Sequence, residues 1–139
     1  AGKIEPLLGY ANAKREVKYG KNSRIDLLLE DPELGRAYVE VKNTTLAEGE
    51  LARFPDAVTS RGLKHLNELA DVVAAGDRGV MLYCVSRADV KAFSPADDID
   101  PAYSKRLREV AEAGVELLAY STMVTPTSFE LGERLEIRL

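Results

Sequence analysis

The sequence predicts a mixed α/β fold (α+β mixed sheet), with a three-strand meander followed by helix, strand, helix and strand. Three observations predict it. Short β-type runs separated by turns fill the first third of the chain, the apolar period then changes from two to 3.6, and helical and extended segments alternate afterwards. Because strand–helix–strand connections return in parallel, the sheet is expected to be mixed, with helices packed on its faces.

The meander is predicted from three runs. Residues 15–19 and 24–30 are separated by the turn residues at 20–23, and residues 37–42 follow the turn sequence DPELG. Each run is short and bounded by turn residues, which is typical of paired strands.

The second half alternates helices and strands. Apolar residues recur at helical spacing over residues 59–75, where Gly76 ends the helix. Residues 79–86 are almost continuously apolar, which predicts a central strand covered on both sides. A second helix over 101–113, a strand over 115–121 and a short edge strand over 136–139, after a polar turn at 125–128, complete the prediction.

Composition limits the class of protein. The 139 residues contain no internal repeat or linker, so one domain is expected, and the longest apolar run, residues 80–85, is far shorter than a membrane helix. The single Cys84 excludes an intramolecular disulfide and a cysteine-only zinc site, and the N-terminus lacks an apolar signal core. A soluble protein of the cytoplasm, without a membrane partner, is the expectation.

A local basic stretch stands out in an acidic chain. The net charge of −4 argues against a surface that attracts nucleic acid everywhere. Residues 14–24, however, contain five cations and a single anion, Glu16. The predicted DNA-binding residues are Lys14, Arg15, Lys18, Lys21 and Arg24. The alternative is an ordinary solvated hairpin.

Charged residues in the predicted strands carry the chemistry. In residues 37–42, strand alternation places Glu40 and Lys42 on the face opposite Val39 and Val41. Charged groups on an interior strand are unfavourable unless they pair or serve a site. Asp26 lies in the middle of the preceding run, although aspartate is a poor strand residue.

If these two strands pair, the carboxylates of Asp26 and Glu40 can meet on one sheet face. Two carboxylates and a backbone carbonyl, that of Val41, would suit Mg²⁺ or Mn²⁺ and leave positions for water and phosphate. Lys42 would then assist at the attacking water or the phosphate. This Asp, then Glu-x-Lys arrangement is the pattern of PD-(D/E)XK nucleases. The alternative is a cross-strand ion pair of Lys42 with either acid.

Further residues are candidates for lining the site. Arg61 and His65 share a polar face of the first predicted helix, and Asp56 precedes it as a local cap or a supporting carboxylate. Related nucleases often add a further Glu as a fourth ligand, for which Glu5 and Glu16 are alternative candidates here, and the choice stays open. His65 is the only histidine, which excludes a multi-histidine zinc site.

Longer blocks of the sequence resemble a known family. EVKYGKNSRIDLLLE, YVEVKNTTLAEGELARFPDAVTSRGLKHLNEL and FSPADDIDPAYSKRL closely resemble the sugar fermentation stimulation protein family, SfsA. The resemblance implies a PD-(D/E)XK nuclease-like domain with Asp26, Glu40 and Lys42 in the metal and catalytic positions. It also implies an N-terminal oligonucleotide-binding barrel, of which this chain shows nothing. Members are described as DNA-binding proteins affecting maltose metabolism, so the expected function is a metal-dependent DNA nuclease or, alternatively, a non-catalytic DNA-binding regulator.

Overall fold

The structure is a computed structural model that describes residues 9–19, 23–87, 89–124 and 129–139. Two helices are present in these ranges, α1 (Ser60–Ala74) and α2 (Pro101–Glu112). The strands are β1 (Asn12–Tyr19), β2 (Ser23–Asp31), β3 (Gly35–Thr44), β4 (Ala47–Glu48), β5 (Leu51–Phe54), β6 (Arg78–Val85), β7 (Ala92–Pro95), β8 (Glu116–Val124), β9 (Phe129–Arg134) and β10 (Glu136–Ile137). No helix in the described ranges is long and apolar enough to cross a membrane.

The main sheet has six strands in the order β1-β2-β3-β6-β8-β9. The first three strands are antiparallel neighbours, β3, β6 and β8 are parallel, and β9 returns antiparallel to β8. The predicted mixed α/β class is therefore confirmed, with the meander at one side and the helix-connected strands beside it. The predicted turns at 20–23 and 125–128 lie wholly or mostly outside the described residues.

A second sheet, in the order β10-β7-β5-β4, was not predicted from the sequence. Its strands have two to four residues each, which is too short for an alternating pattern to register. The segment predicted as an edge strand at 136–139 does form an edge, but in this second sheet, where β10 pairs in parallel with β7.

Both helices contribute to the same apolar cluster against the main sheet. Leu66 and Leu69 of α1 and Leu107 of α2 lie in it together with Met81 and Tyr83 of β6. A second cluster, on the other side of β6, contains strand residues such as Val80 and Leu82, and neither described helix contributes to it. The expectation of helices on both faces is therefore not met, although β6 is buried on both sides as predicted.

Alternation on β3 follows the prediction, whereas alternation on β2 does not. Val39 is fully buried and Val41 is half-buried on the face away from the helices. Strand alternation in the sequence predicts that Ile25 shares a face with Leu27 and Leu29, but Ile25 packs in the helix-side cluster. The prediction for Ile25 is wrong because regular pairing of β2 with β3 extends only as far as Leu27.

Asp100 joins the beginnings of the two helices. This buried carboxylate accepts hydrogen bonds from the backbone N–H of Thr59 (2.9 Å), the cap of α1, and from that of Tyr103 (3.1 Å) in α2. Thr59 in turn accepts from the Gly62 N–H through its hydroxyl. One side chain therefore fixes where α1 begins relative to α2.

We expect Asp100→Ala to lower the free energy of unfolding by about 2–4 kcal/mol, because two backbone donors lose their acceptor and each cap contributes about 1–2 kcal/mol. Urea unfolding followed by circular dichroism measures the change. The matched control is Glu112→Ala at the exposed end of α2, expected within about 0.5 kcal/mol of the parent. A loss for Asp100→Ala no larger than that of the control would contradict the bridging role.

Candidate metal and catalytic site

The site begins where β2 separates from β3. The regular β2–β3 pairing stops at Leu27, which lies opposite Val39, and Asp26 is the next residue of β2 beyond that pair. Its Oδ2 accepts the backbone N–H of Val41 at 2.7 Å, so a side-chain carboxylate takes the place of a main-chain acceptor. This bond holds the Asp26 carboxylate against β3, beside the residue before Val41, which is Glu40.

Glu40 is a buried acid. Its side chain is 5% exposed, and burial, followed by the negative charge of Asp26, raises its pKa to about 8, against the opposing effect of Lys42. Its Oε2 is buried and has no hydrogen-bond donor among the described residues. That oxygen can therefore be satisfied by a proton shared with Asp26 or by a cation.

Lys42 and His65 lie close to the other carboxylate oxygen of Glu40, Oε1. The Lys42 Nζ is 2.8 Å from His65 Nδ1 and 3.7 Å from Glu40 Oε1, and His65 Nδ1 is 3.2 Å from the same oxygen. Burial lowers the pKa of Lys42. Burial, followed by the charges of Lys42 and Arg61, lowers the pKa of His65 to about 4, so the imidazole is neutral at pH 7.

The remaining predicted site residues have different positions. Arg61 is exposed on the first turn of α1, close enough for its charge to act on Glu40 and His65. Asp56 is exposed and α1 is capped by Thr59, so the capping prediction for Asp56 is wrong.

The two alternative candidates for the fourth ligand are Glu16 and Glu5. Glu16 lies level with Asp26 between the pairs Arg15–Leu27 and Val17–Ile25, in a left-handed conformation with φ 51°. Such a backbone is unfavourable for a residue with a side chain. Glu5 is outside the described residues.

The basic stretch forms part of the β1–β2 pair. Arg15, Lys18 and Arg24 are exposed, and Lys18 lies directly opposite Arg24 in the register. Lys14 makes an ion pair of 3.1 Å with Glu30. Lys21 lies outside the described residues. Two like charges held opposite each other repel, so their placement does not serve the stability of the hairpin.

The donor set fits a hard divalent cation. Asp26 and Glu40 offer carboxylate oxygens, which Mg²⁺ and Mn²⁺ prefer, and the orphaned Glu40 Oε2 is an oxygen that needs a positive partner. Within the described ranges, no three His, Cys, Asp or Glu side chains are arranged to hold a metal. Among the described residues, the two carboxylates would therefore be the only side-chain ligands of a metal. That the Val41 carbonyl is a further ligand stays a prediction.

Sequence reasoning missed two features of this site. The Lys42–His65 contact joins a strand to a helix, and no local pattern signals such a pairing. Asp100 was missed although the Asp-Pro pair at the start of α2 is a recognised helix-start signal.

Comparisons with known proteins agree with this fold. The sequence profile of the sugar fermentation stimulation protein RE domain matches residues 1–128. Sugar fermentation stimulation protein homologs of Geobacter sulfurreducens and Rhodospirillum centenum are each 57% identical, over 98% and 99% of this chain. A solved structure described as that of Pyrococcus furiosus SfsA in complex with Ca²⁺ superposes with a TM-score of 0.83, at 33% identity over 91% of this chain and 54% of that one.

The fold and the site together define the class of protein: an α/β domain in which two carboxylates and a lysine lie side by side. The chain belongs to the sugar fermentation stimulation protein family. It spans 58% and 59% of the length of the two curated relatives.

The raised pKa of Glu40 gives the metal-free protein a specific pH dependence. The pKa of Glu40 is near 8 in the folded protein and has its ordinary value of 4.5 in the unfolded chain. Between these values the unfolded chain gives up the proton that the folded protein keeps, so the free energy of unfolding falls as pH rises towards 8. His65 has the opposite effect, but only between its folded pKa near 4 and its ordinary 6.5. We therefore expect the parent to lose stability between pH 6.5 and 8 in EDTA relative to Glu40→Gln. Urea unfolding of both proteins measures this, and parallel pH profiles would contradict it.

Proposed function

We propose that this chain is a metal-dependent, DNA-binding nuclease-like domain that hydrolyses phosphodiester bonds. The observation that carries the proposal is the apposition of Asp26 and Glu40, with a buried carboxylate oxygen of Glu40 that has no donor among the described residues. A protein gains nothing in stability from bringing two acids together in a partly buried place, whereas such a pair of carboxylates suits a divalent cation.

Two further observations support the metal. The structurally similar Pyrococcus furiosus protein is described in complex with Ca²⁺, a hard cation that takes oxygen ligands as Mg²⁺ and Mn²⁺ do. The sequence pattern of Asp26 followed by Glu40 and Lys42 is that of PD-(D/E)XK nucleases. We propose Asp26 and Glu40 as the side chains that hold Mg²⁺ or Mn²⁺, with the carbonyl of Val41 as a third oxygen.

The residues divide the chemistry of hydrolysis between them. Bound Mg²⁺ or Mn²⁺ would supply Lewis acidity toward a phosphate oxygen and a more acidic water. Water adds to phosphorus, the bond to one ester oxygen breaks, and that oxygen leaves with a proton. Lys42 stabilises negative charge on the non-bridging oxygens as it develops, and Arg61 at the rim contacts a neighbouring phosphate.

The proposed DNA surface is the exposed basic residues of the β1–β2 pair. Arg15 and Lys18 are exposed on β1, beside the strand that carries Asp26, and Arg24 is exposed on that strand itself. Phosphates would relieve the repulsion between Lys18 and Arg24. Because the chain is acidic as a whole, binding is expected to be weak and strongly dependent on salt.

A second candidate is a DNA-binding regulator of sugar metabolism genes that keeps this fold without cleavage. The ion pair between Lys42 and Glu40 favours it, because a lysine can neutralise an acid without a metal. The distances favour the first candidate. Lys42 Nζ is 3.7 Å from Glu40, longer than a hydrogen bond, and its short contact of 2.8 Å is to His65.

Lys42→Ala separates the two candidates. In a nuclease, we expect the variant to lose cleavage of plasmid DNA while its affinity for Mn²⁺ stays nearly unchanged, since Lys42 is not a ligand. In a regulator, removal of Lys42 leaves two acids uncompensated and lowers the free energy of unfolding by about 3–5 kcal/mol. Plasmid nicking, Mn²⁺ titration and thermal melts are compared with Lys105→Ala, an exposed lysine of α2. The nuclease proposal is contradicted if the parent binds no Mn²⁺ and Lys42→Ala melts at a much lower temperature than the parent.

For the DNA surface, we expect the double variant Lys18→Gln and Arg24→Gln to bind duplex DNA more weakly at low salt. The slope of log affinity against log salt should fall by about 2, since two phosphate contacts are lost. Fluorescence anisotropy at several salt concentrations measures it, with Lys105→Gln as the control. Equal slopes for parent and double variant would show that the basic stretch is only a solvated hairpin.

A further inference from the structure

His65 is buried between helix and sheet, against two residues of the proposed site. It is 4% exposed, and its Nδ1 lies 2.8 Å from Lys42 Nζ and 3.2 Å from Glu40 Oε1. When Glu40 is ionised, as it would be with a cation bound, one ring nitrogen therefore faces both a donor and an acceptor, and it can serve only one of them.

The chemistry of the nearer neighbour decides which. A lysine ammonium has donors only, so a hydrogen bond of 2.8 Å requires a lone pair on His65 Nδ1. The ring proton then belongs on Nε2, and Nδ1 has no proton to give to Glu40. His65 therefore accepts from Lys42.

The hydrogen bond to His65 determines the position of the Lys42 ammonium. Lysine has a long flexible side chain, and without another acceptor its ammonium would move onto the nearest carboxylate, Glu40. With His65 in place, Nζ stays 3.7 Å from Glu40 Oε1. The acids are then left for another cation.

We infer that His65 is a positioning residue, which holds the Lys42 ammonium beside the two carboxylates rather than on them. As a contribution to hydrolysis, this inference rests on the proposed function, but the hydrogen bond itself can be tested without it. Helix α1 supplies the rigid support, because its beginning is fixed by Thr59 and Asp100.

The test uses nitrogen NMR of the whole chain with ¹⁵N-labelled lysine and histidine, at pH 7 with and without the diamagnetic cation Mg²⁺. We expect an unprotonated Nδ1 and a protonated Nε2 for His65, and a persistent ammonium signal for Lys42. His65→Leu should abolish that signal. His65→Asn should keep it, because the amide oxygen can take the place of Nδ1. Asp71→Ala, an exposed change on the same helix, is the control.

Cleavage by the same proteins gives the second readout. We expect kcat to fall about 10- to 100-fold in His65→Leu and to recover largely in His65→Asn, with KM and Mn²⁺ affinity nearly unchanged. A proton on Nδ1, or a Lys42 signal indifferent to His65→Leu, overturns the inference. A parent that never cuts DNA but shows the expected NMR pattern overturns the proposed function and supports the hydrogen bond.

Discussion

The hydrogen bond from the Val41 N–H to Asp26 is the interaction on which the site depends. It ends the regular β2–β3 ladder and replaces a main-chain acceptor by a carboxylate. Without it, Asp26 would be a charged residue in the middle of a strand with no reason to face Glu40. The same local irregularity explains why Ile25 packs on the helix side and why Glu16, level with Asp26 on β1, has an unfavourable backbone conformation.

In the part of the chain that the structure describes, the charged groups around this bond leave one buried carboxylate oxygen without a hydrogen-bond donor. Lys42 and Arg61 provide positive charge near the acids, yet Glu40 Oε2 has no donor among the described residues. Because His65 accepts from Lys42, the nearest ammonium is directed to the imidazole rather than to the carboxylates. A divalent cation would satisfy Glu40 and offset the repulsion between the acids, so the proposed hydrolysis depends on the proposed metal binding.

Strand alternation was sufficient to predict which residues of β3 face the site, because a period of two is strict in a long regular strand. Helical spacing, with a glycine stop after the first helix, likewise placed α1 and α2 to within a residue at each end. The second sheet escaped prediction because its strands are too short for a period, and Ile25 escaped it because a side chain interrupts the ladder. The Lys42–His65 contact depends on how α1 packs on β3, which no local pattern encodes.

The most direct measurement is calorimetric titration of the metal-free chain with Mn²⁺ at pH 6.5, in several buffers of different ionisation enthalpy. The account predicts a single site per chain, lost in Asp26→Asn. It also predicts release of about one proton on binding, because Glu40, with a pKa of about 8, is protonated before the metal arrives. Absence of binding, or equal binding by Asp26→Asn, would contradict the account.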